Sequence, residues 1–174
     1  MDAREWSTAM RLFAALLPAP ELRETLLRAQ EELRRQGARG GFTREENLHL
    51  TLAFLGETEN GAAARAALET LGGGPFELAL TGAGRFNDLW WAGVEESPRL
   101  TALAAQTRDA LLSRGFALER RPFRPHITLV RELRCSRPPV LEVPRTAMEL
   151  CTSFRNSFSQ CTTHRAGVQC KFRT

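Results

Sequence analysis

The sequence contains no tyrosine, a single lysine and no long run of consecutive apolar residues. The missing apolar run excludes a transmembrane helix, which needs about 20 such residues. The apolar stretch near the start is short and leads into Pro18 and Pro20 rather than into a small-residue cleavage site, so we expect a first strand and no signal peptide. These features predict a cytoplasmic protein that has no membrane partner.

Cysteine is scarce and is confined to the last quarter of the chain. No two of the four residues Cys135, Cys151, Cys161 and Cys170 form the Cys-x-x-Cys pair that zinc sites use, so we expect reduced thiols. A chain of 174 residues buries enough surface to fold without disulfides or a structural metal. We therefore expect no metal and no cofactor, and one domain that spans residues 1–174.

Positive charge comes almost entirely from arginine and is concentrated in the second half. Residues 1–87 hold 10 basic and 12 acidic groups (net −2), whereas residues 88–174 hold 14 basic and 8 acidic groups (net +6). Arginine suits phosphate because its planar guanidinium donates two parallel hydrogen bonds. The second half is thus the better candidate for contact with a polyanion. A general compositional bias towards arginine is the alternative explanation of this usage.

The apolar spacing predicts an α+β chain in which strands and helices alternate. The predicted order is a strand at 10–16, a helix at 21–37, a strand at 48–56, a helix at 59–73, strands at 76–86 and 88–95, a helix at 97–116, a strand within 121–133, and closing strands within 145–154 and 167–173. A polar turn is expected between the first helix and the strand that follows it. The succession of strand, helix and strand occurs in both halves, which suggests an internal duplication.

Two of the three histidines are followed two places later by threonine, with apolar residues between and after them. The motifs are His49-Leu50-Thr51-Leu52 and His126-Ile127-Thr128-Leu129. In a strand, residues i and i+2 point to the same face. Each strand is therefore expected to present an imidazole and a hydroxyl side by side and to turn its apolar residues towards the core. His164 has no matching threonine and is expected on the surface.

Two such strands brought together would frame a phosphate group. The threonine hydroxyls would bind its oxygens, and the imidazoles could reach the attacking and leaving oxygens on opposite sides of phosphorus. Free imidazole titrates near pH 6.5, so one histidine can act as a base while the other acts as an acid at neutral pH. This chemistry does not need a metal, and the residues alone leave open which histidine has which role.

The two motifs and their flanks resemble the two-histidine (2H) phosphoesterase superfamily, and within it the RNA 2',3'-cyclic phosphodiesterases, also called LigT-like. The resemblance extends to about Arg134 and rests on four segments: RLFAALLPAP, ENLHLTLAFLGET, LWWAGVE and FRPHITLVREL. The 77-residue spacing between His49 and His126 is also similar to that of the family.

This resemblance implies a bilobal α+β fold, in which two pseudo-symmetric lobes of antiparallel sheet with flanking helices enclose a central active-site groove. It also implies hydrolysis of RNA 2',3'-cyclic phosphate ends to the 2'-phosphate. By position, His49 would be the proton donor to the leaving 3'-oxygen and His126 the proton acceptor that activates water. Thr51 and Thr128 would bind the phosphate.

Arg131 matches a basic position that follows the second motif in the family and would be a further phosphate ligand. Strict alternation places Arg131 on the opposite face of the strand from His126. It can reach the groove only if the strand ends or bulges after Leu129.

Several alternatives stay open at this point. The same fold could catalyse 2'-5' RNA ligation or serve as a non-catalytic RNA-binding module, and related substrates include ADP-ribose 1'',2''-cyclic phosphate and 2'-5' oligoadenylates. Phe54, Phe123 and Trp90 could stack on a base, although core packing is the favoured interpretation for each. The expected partner is RNA or a cyclic nucleotide, and we expect a monomer.

Overall fold

A computed structural model describes residues 10–72, 76–150 and 168–173. Within these ranges the chain forms eight strands, three α-helices and a short 3-10 helix at Glu45–Asn47. In chain order the elements are β1 (Met10–Leu16), α1 (Pro20–Arg35), β2 (Arg39–Phe42), β3 (Leu50–Thr58), α2 (Gly61–Glu69), β4 (Phe76–Phe86), β5 (Leu89–Val94), α3 (Pro98–Leu112), β6 (His126–Arg134), β7 (Ala147–Leu150) and β8 (Val168–Arg173).

The strands form one antiparallel sheet in the order β7-β4-β5-β6-β3-β1-β8, and β2 pairs with β6. The two strands that follow the histidines, β3 and β6, are neighbours near the middle of this order. The half β8-β1-β3 therefore meets the half β6-β5-β4-β7 at the two motifs. Each half repeats the succession of strand, helix and motif strand, as β1-α1-β3 and β5-α3-β6, and the predicted α+β class with two related halves is confirmed.

The helices cover one face of this sheet. Apolar residues of α1, α2 and α3 share a single buried cluster with the inward residues of the strands, among them Leu26, Leu68, Leu103, Leu50 and Ile127. Burial of apolar surface, worth about 25 cal/mol per Å², is the main force that holds the helices on the sheet. The opposite face of the sheet carries the polar residues of both motifs.

Local sequence signals account for the helix ends. Pro20 stands at the first position of α1, and the chain leaves that helix through Gly37 at φ +83°. At the start of α3 the Ser97 side chain accepts a hydrogen bond from the Leu100 amide at 3.2 Å. None of the helices in the described ranges is both long and apolar enough to cross a membrane.

The segment between α1 and β3 was expected to be a polar turn, and this expectation is wrong. Residues Arg39–Phe42 form β2, which pairs with β6. Two consecutive glycines normally indicate a turn, but here Gly40 permits a close approach of the two strands: a Cβ at this position would lie 2.7 Å from the carbonyl oxygen of Arg131. The other predicted strands and helices are present within the described residues, with ends that differ by a few positions.

The Sγ of Cys135 donates to the carbonyl oxygen of Gln36 at 3.4 Å. Cys151, Cys161 and His164 lie outside the described residues, as does the side chain of Cys170.

Candidate active site

The two histidine motifs meet where β3 pairs with β6. Leu50 and Ile127 are direct antiparallel partners, and both side chains are buried beneath the sheet. Continued by one residue in each direction, this antiparallel register would set His49 opposite Thr128 and Thr51 opposite His126. The Leu50–Ile127 pair therefore brings the two motifs together on neighbouring strands.

We call the sheet surface that carries these four residues the site face. All four side chains are half-buried, whereas Leu50 and Ile127 between them are fully buried on the helical face. His49 immediately precedes β3 rather than lying within it, and His126 is the first residue of β6. The predicted period-two arrangement of imidazole and hydroxyl is otherwise as the sequence indicates.

The two imidazoles are held in the same way. Nδ1 of His49 donates to the carbonyl oxygen of Asn47 at 2.5 Å, and Nδ1 of His126 donates to that of Arg124 at 2.7 Å. Because a carbonyl oxygen only accepts, each Nδ1 carries a hydrogen in both the neutral and the charged ring. Proton exchange with a ligand is therefore assigned to Nε2 in both motifs.

Strand β6 bulges directly after the second motif. Trp91 pairs with Thr128 and Trp90 pairs with Val130, so Leu129 is an extra residue relative to β5. Leu129 and Val130 are both fully buried, which breaks the alternation of the strand. The next residue, Arg131, is exposed and returns to the site face. The bulge that Arg131 requires in order to reach the groove is thus present.

A buried glutamine supports this bulge. Gln30 on α1 is 1% exposed, and its Nε2 donates at 2.8 Å to the carbonyl oxygens of both Leu129 and Thr43. The amide of Thr43 also donates to Leu129 at 2.9 Å. Gln30 was not predicted from the sequence, although its position four residues after Leu26, on the apolar stripe of α1, is the signal that could have identified it.

Aromatic rings flank both imidazoles on the site face. Phe13 of β1 stacks on His49 with ring centroids 4.5 Å apart. Phe86 and Trp91 approach His126, with centroids 5.4 and 5.9 Å away. The Trp91 ring lies on the backbone of Gly84, where a Cβ would come within 2.2 Å of it. These rings restrict the orientation of the histidines.

The three aromatic residues singled out from the sequence behave differently from one another. Phe123 and Trp90 pack against buried clusters, as the favoured interpretation predicted. Phe54 does not, because its ring is 41% exposed and the Arg11 guanidinium lies 5.5 Å from its centroid. Its strand partner is Phe13, which places Phe54 on the site face.

The arrangement offers two imidazoles and two hydroxyls from two neighbouring strands, with Arg131 three residues beyond Thr128 on β6. This donor set fits an anion with several acceptor oxygens, such as a phosphate. In the described part of the chain, no group of three or more histidine, cysteine, aspartate and glutamate side chains is arranged to hold a metal ion.

Comparison with known families identifies the same region of the chain. The model of the 2'-5' RNA ligase superfamily matches residues 18–143, which include both motifs. An RNA 2',3'-cyclic phosphodiesterase of Escherichia coli K12 is 39% identical over 134 residues, which cover 72% of this chain and 74% of that protein.

A protein of the same name from Geobacillus stearothermophilus is 38% identical over 122 residues, covering 65% of this chain. The chain spans only 39% of the length of that relative. Among solved structures, Escherichia coli LigT complexed with 3'-AMP superposes with a TM-score of 0.67 at 27% identity, covering 95% of this chain and 96% of that one.

Proposed function

Because this chain belongs to the 2'-5' RNA ligase superfamily, we propose that it hydrolyses RNA 2',3'-cyclic phosphate ends to 2'-phosphates. The relatives named RNA 2',3'-cyclic phosphodiesterase support this reaction. The observation that carries the proposal is that the two motifs meet at the Leu50–Ile127 pair, with both imidazoles anchored in the same way through Nδ1. The proposal includes a monomeric cytoplasmic enzyme formed by residues 1–174 as one domain.

In the proposed reaction the cyclic phosphate lies between the two motifs. Water attacks phosphorus on the side opposite the 3'-oxygen, and Nε2 of neutral His126 takes a proton from it. The bond between phosphorus and the 3'-oxygen breaks, and its electron pair stays on that oxygen. Nε2–H of charged His49 protonates the oxygen, which leaves a 3'-hydroxyl and a 2'-phosphate. The resemblance to the family supplies the direction of these two roles.

The hydrogen bonds at Nδ1 prepare both rings for this transfer. A charged His49 keeps its Nδ1–H on Asn47 while it donates from Nε2, and a neutral His126 keeps its Nδ1–H on Arg124 while its Nε2 accepts. Neither ring has to rotate or change tautomer during the step. Fixed orientation of the reacting groups lowers the entropic part of the barrier.

Thr51 and Thr128 would hold the non-bridging oxygens, and their removal provides a graded test. We expect Thr51→Val and Thr128→Val each to lower kcat/KM for a cyclic nucleotide by about tenfold or more, because a hydrogen bond to a charged group contributes roughly 1.5–3 kcal/mol. Valine keeps the shape of threonine, so the thermal midpoint should change little. Thr58→Val, on β3 beyond the motif, is the matched control. Wild-type kcat/KM in both motif variants would contradict the phosphate-binding role.

The proposed function is tested by incubating the protein with a nucleoside 2',3'-cyclic phosphate in excess EDTA. We expect complete conversion to the 2'-phosphate, resolved from the 3'-isomer by phosphorus NMR, with no loss of rate on chelation. Formation of the 3'-phosphate would overturn the assigned leaving group. A folded protein that binds cyclic-ended RNA without turning it over would be an RNA-binding module and not an enzyme.

A further inference from the structure

Three arginines lie on the site face beyond the second motif. Arg131 reaches this face through the bulge after Leu129, and its partner on β2 is Gly41, which has no side chain to cover it. Arg39 and Arg134 are the next paired positions, beyond a register shift in which β6 has one residue more than β2. Arg39 lies two residues from Gly41 and so points to the same face as Gly41 and Arg131.

The opposite faces of the same strands confirm this orientation. Val130 belongs to a buried cluster that includes Leu33 of α1 on the helical side of the sheet, and its partner Phe42 packs against this cluster. Leu133 packs against the same cluster. Because Arg134 follows Leu133, it faces away from the helices and towards the site face.

Arg39 and Arg134 form a pair of like charges directly across two strands. Both are exposed, and within residues 10–72, 76–150 and 168–173 neither has an ion pair or a hydrogen bond from its side chain. Like charges in opposed positions destabilise a sheet. An anion between two guanidinium groups removes that repulsion and gains charge-assisted hydrogen bonds. The pair therefore has the chemistry of a phosphate contact.

The distances suit a polymer rather than a single nucleotide. Strand residues rise about 3.3 Å each, so Arg131 lies roughly 10 Å and Arg134 roughly 20 Å along β6 from Thr128. A mononucleotide held at the motifs is too short to reach the Arg39–Arg134 pair. Glu132 is the one acidic residue of β6, so the three arginines and Glu132 together carry a net charge of +2.

We propose that Arg131, Arg134 and Arg39 form a path for the backbone of the single-stranded RNA that lies 5' to the cyclic end. This inference rests on the proposed function, because it is the cyclic phosphate at the motifs that positions the rest of the strand. The motifs hold the terminal phosphate, and the phosphates that precede it lie along β6, towards the end of β6 that pairs with β2.

The test compares two substrates in three proteins: the wild type, Arg39→Gln/Arg134→Gln, and the control Arg114→Gln. Arg114 follows α3 and is exposed, so its replacement removes a charge away from the path. The substrates are a nucleoside 2',3'-cyclic phosphate and a short oligoribonucleotide with the same cyclic end. We expect the double variant to lower kcat/KM for the oligonucleotide by about tenfold at low salt. Its kcat/KM for the mononucleotide should stay within about twofold of the wild-type value.

Salt dependence gives a second measurement. The slope of log kcat/KM for the oligonucleotide against log salt should become shallower by about 1.4 in the double variant, since each contact to a single strand contributes about 0.7. Equal losses on both substrates, or a loss no larger than that of the control, would overturn the path.

If the wild type hydrolyses neither substrate, the proposed function fails, and the path is judged by fluorescence anisotropy with a 3'-phosphorylated oligoribonucleotide. Weaker binding confined to the double variant then supports it, and equal binding by all three proteins overturns it.

Discussion

His49→Ala and His126→Ala are each expected to slow hydrolysis of a nucleoside 2',3'-cyclic phosphate by at least about 100-fold, because general acid or base catalysis typically contributes 10² to 10⁴. Both side chains are half-buried at a strand end, so the truncations should leave the fold intact. The measurement is kcat/KM for each variant, together with its circular dichroism spectrum. His164→Ala is the matched control, because it removes the histidine that lacks the threonine partner.

The pH profiles of these variants separate the two roles. The acid must be protonated at the start of the reaction and the base must not, so the wild type should show a bell-shaped dependence of kcat/KM on pH. The residual kcat/KM of His49→Ala should no longer decrease at high pH, and that of His126→Ala should no longer decrease at low pH. The reverse pattern would exchange the assigned roles, whereas a variant that keeps most of the wild-type rate would remove that histidine from the mechanism.

Leu50→Ala and Ile127→Ala are each expected to lower the free energy of unfolding by about 2–5 kcal/mol, the usual cost of a large cavity in a core. Leu50 and Ile127 are each 1% exposed, and they are direct partners at the place where the two halves of the sheet meet. A loss of this size is a large fraction of the stability of a typical domain. Urea unfolding measures it through the transition midpoint and slope.

A double variant tests whether the two side chains act together. Because Leu50 and Ile127 occupy one site in the core, the losses of the single variants should not add in Leu50→Ala/Ile127→Ala. Val140→Ala is the control, since Val140 is 71% exposed and its truncation should change stability by less than about 0.5 kcal/mol. Losses below about 1 kcal/mol at either core position would show that packing beneath the motifs is not what joins the halves.

The parts of the fold that follow from contiguous residues were predictable. The spacing of leucines on α1, the Ser97 cap of α3 and the alternation around each histidine all depend on neighbours within a few positions. These local rules placed His49 beside Thr51 and His126 beside Thr128 on half-polar strands, and the structure agrees. The functional roles of the four side chains remain a proposal.

Other features of the fold depend on strand pairing between residues far apart in the chain, and the local sequence pattern does not predict them. The strand β2 is absent from the prediction because Arg39–Phe42 has no alternation, and its pairing depends on β6 about 90 residues later. Phe54 was expected to pack in the core, yet the register shift between Ala14 and Ala15 of β1, which leaves one extra residue in β3 before Phe54, turns its ring to the site face. A bulge changes the face of every later residue, which is why strict alternation misplaces Arg131.

The residues of each motif were enough to predict that two strands present an imidazole and a hydroxyl over an apolar underside, because that pattern needs only the period-two geometry of an extended chain. The pairing of Leu50 with Ile127, which brings the two motifs together, and the shared face of Arg131, Arg39 and Arg134 depend on long-range strand pairing and are evident only in the folded chain. The backbone explains this difference. Its hydrogen-bonding groups are the same at every residue, so register and bulges are selected by packing between distant segments.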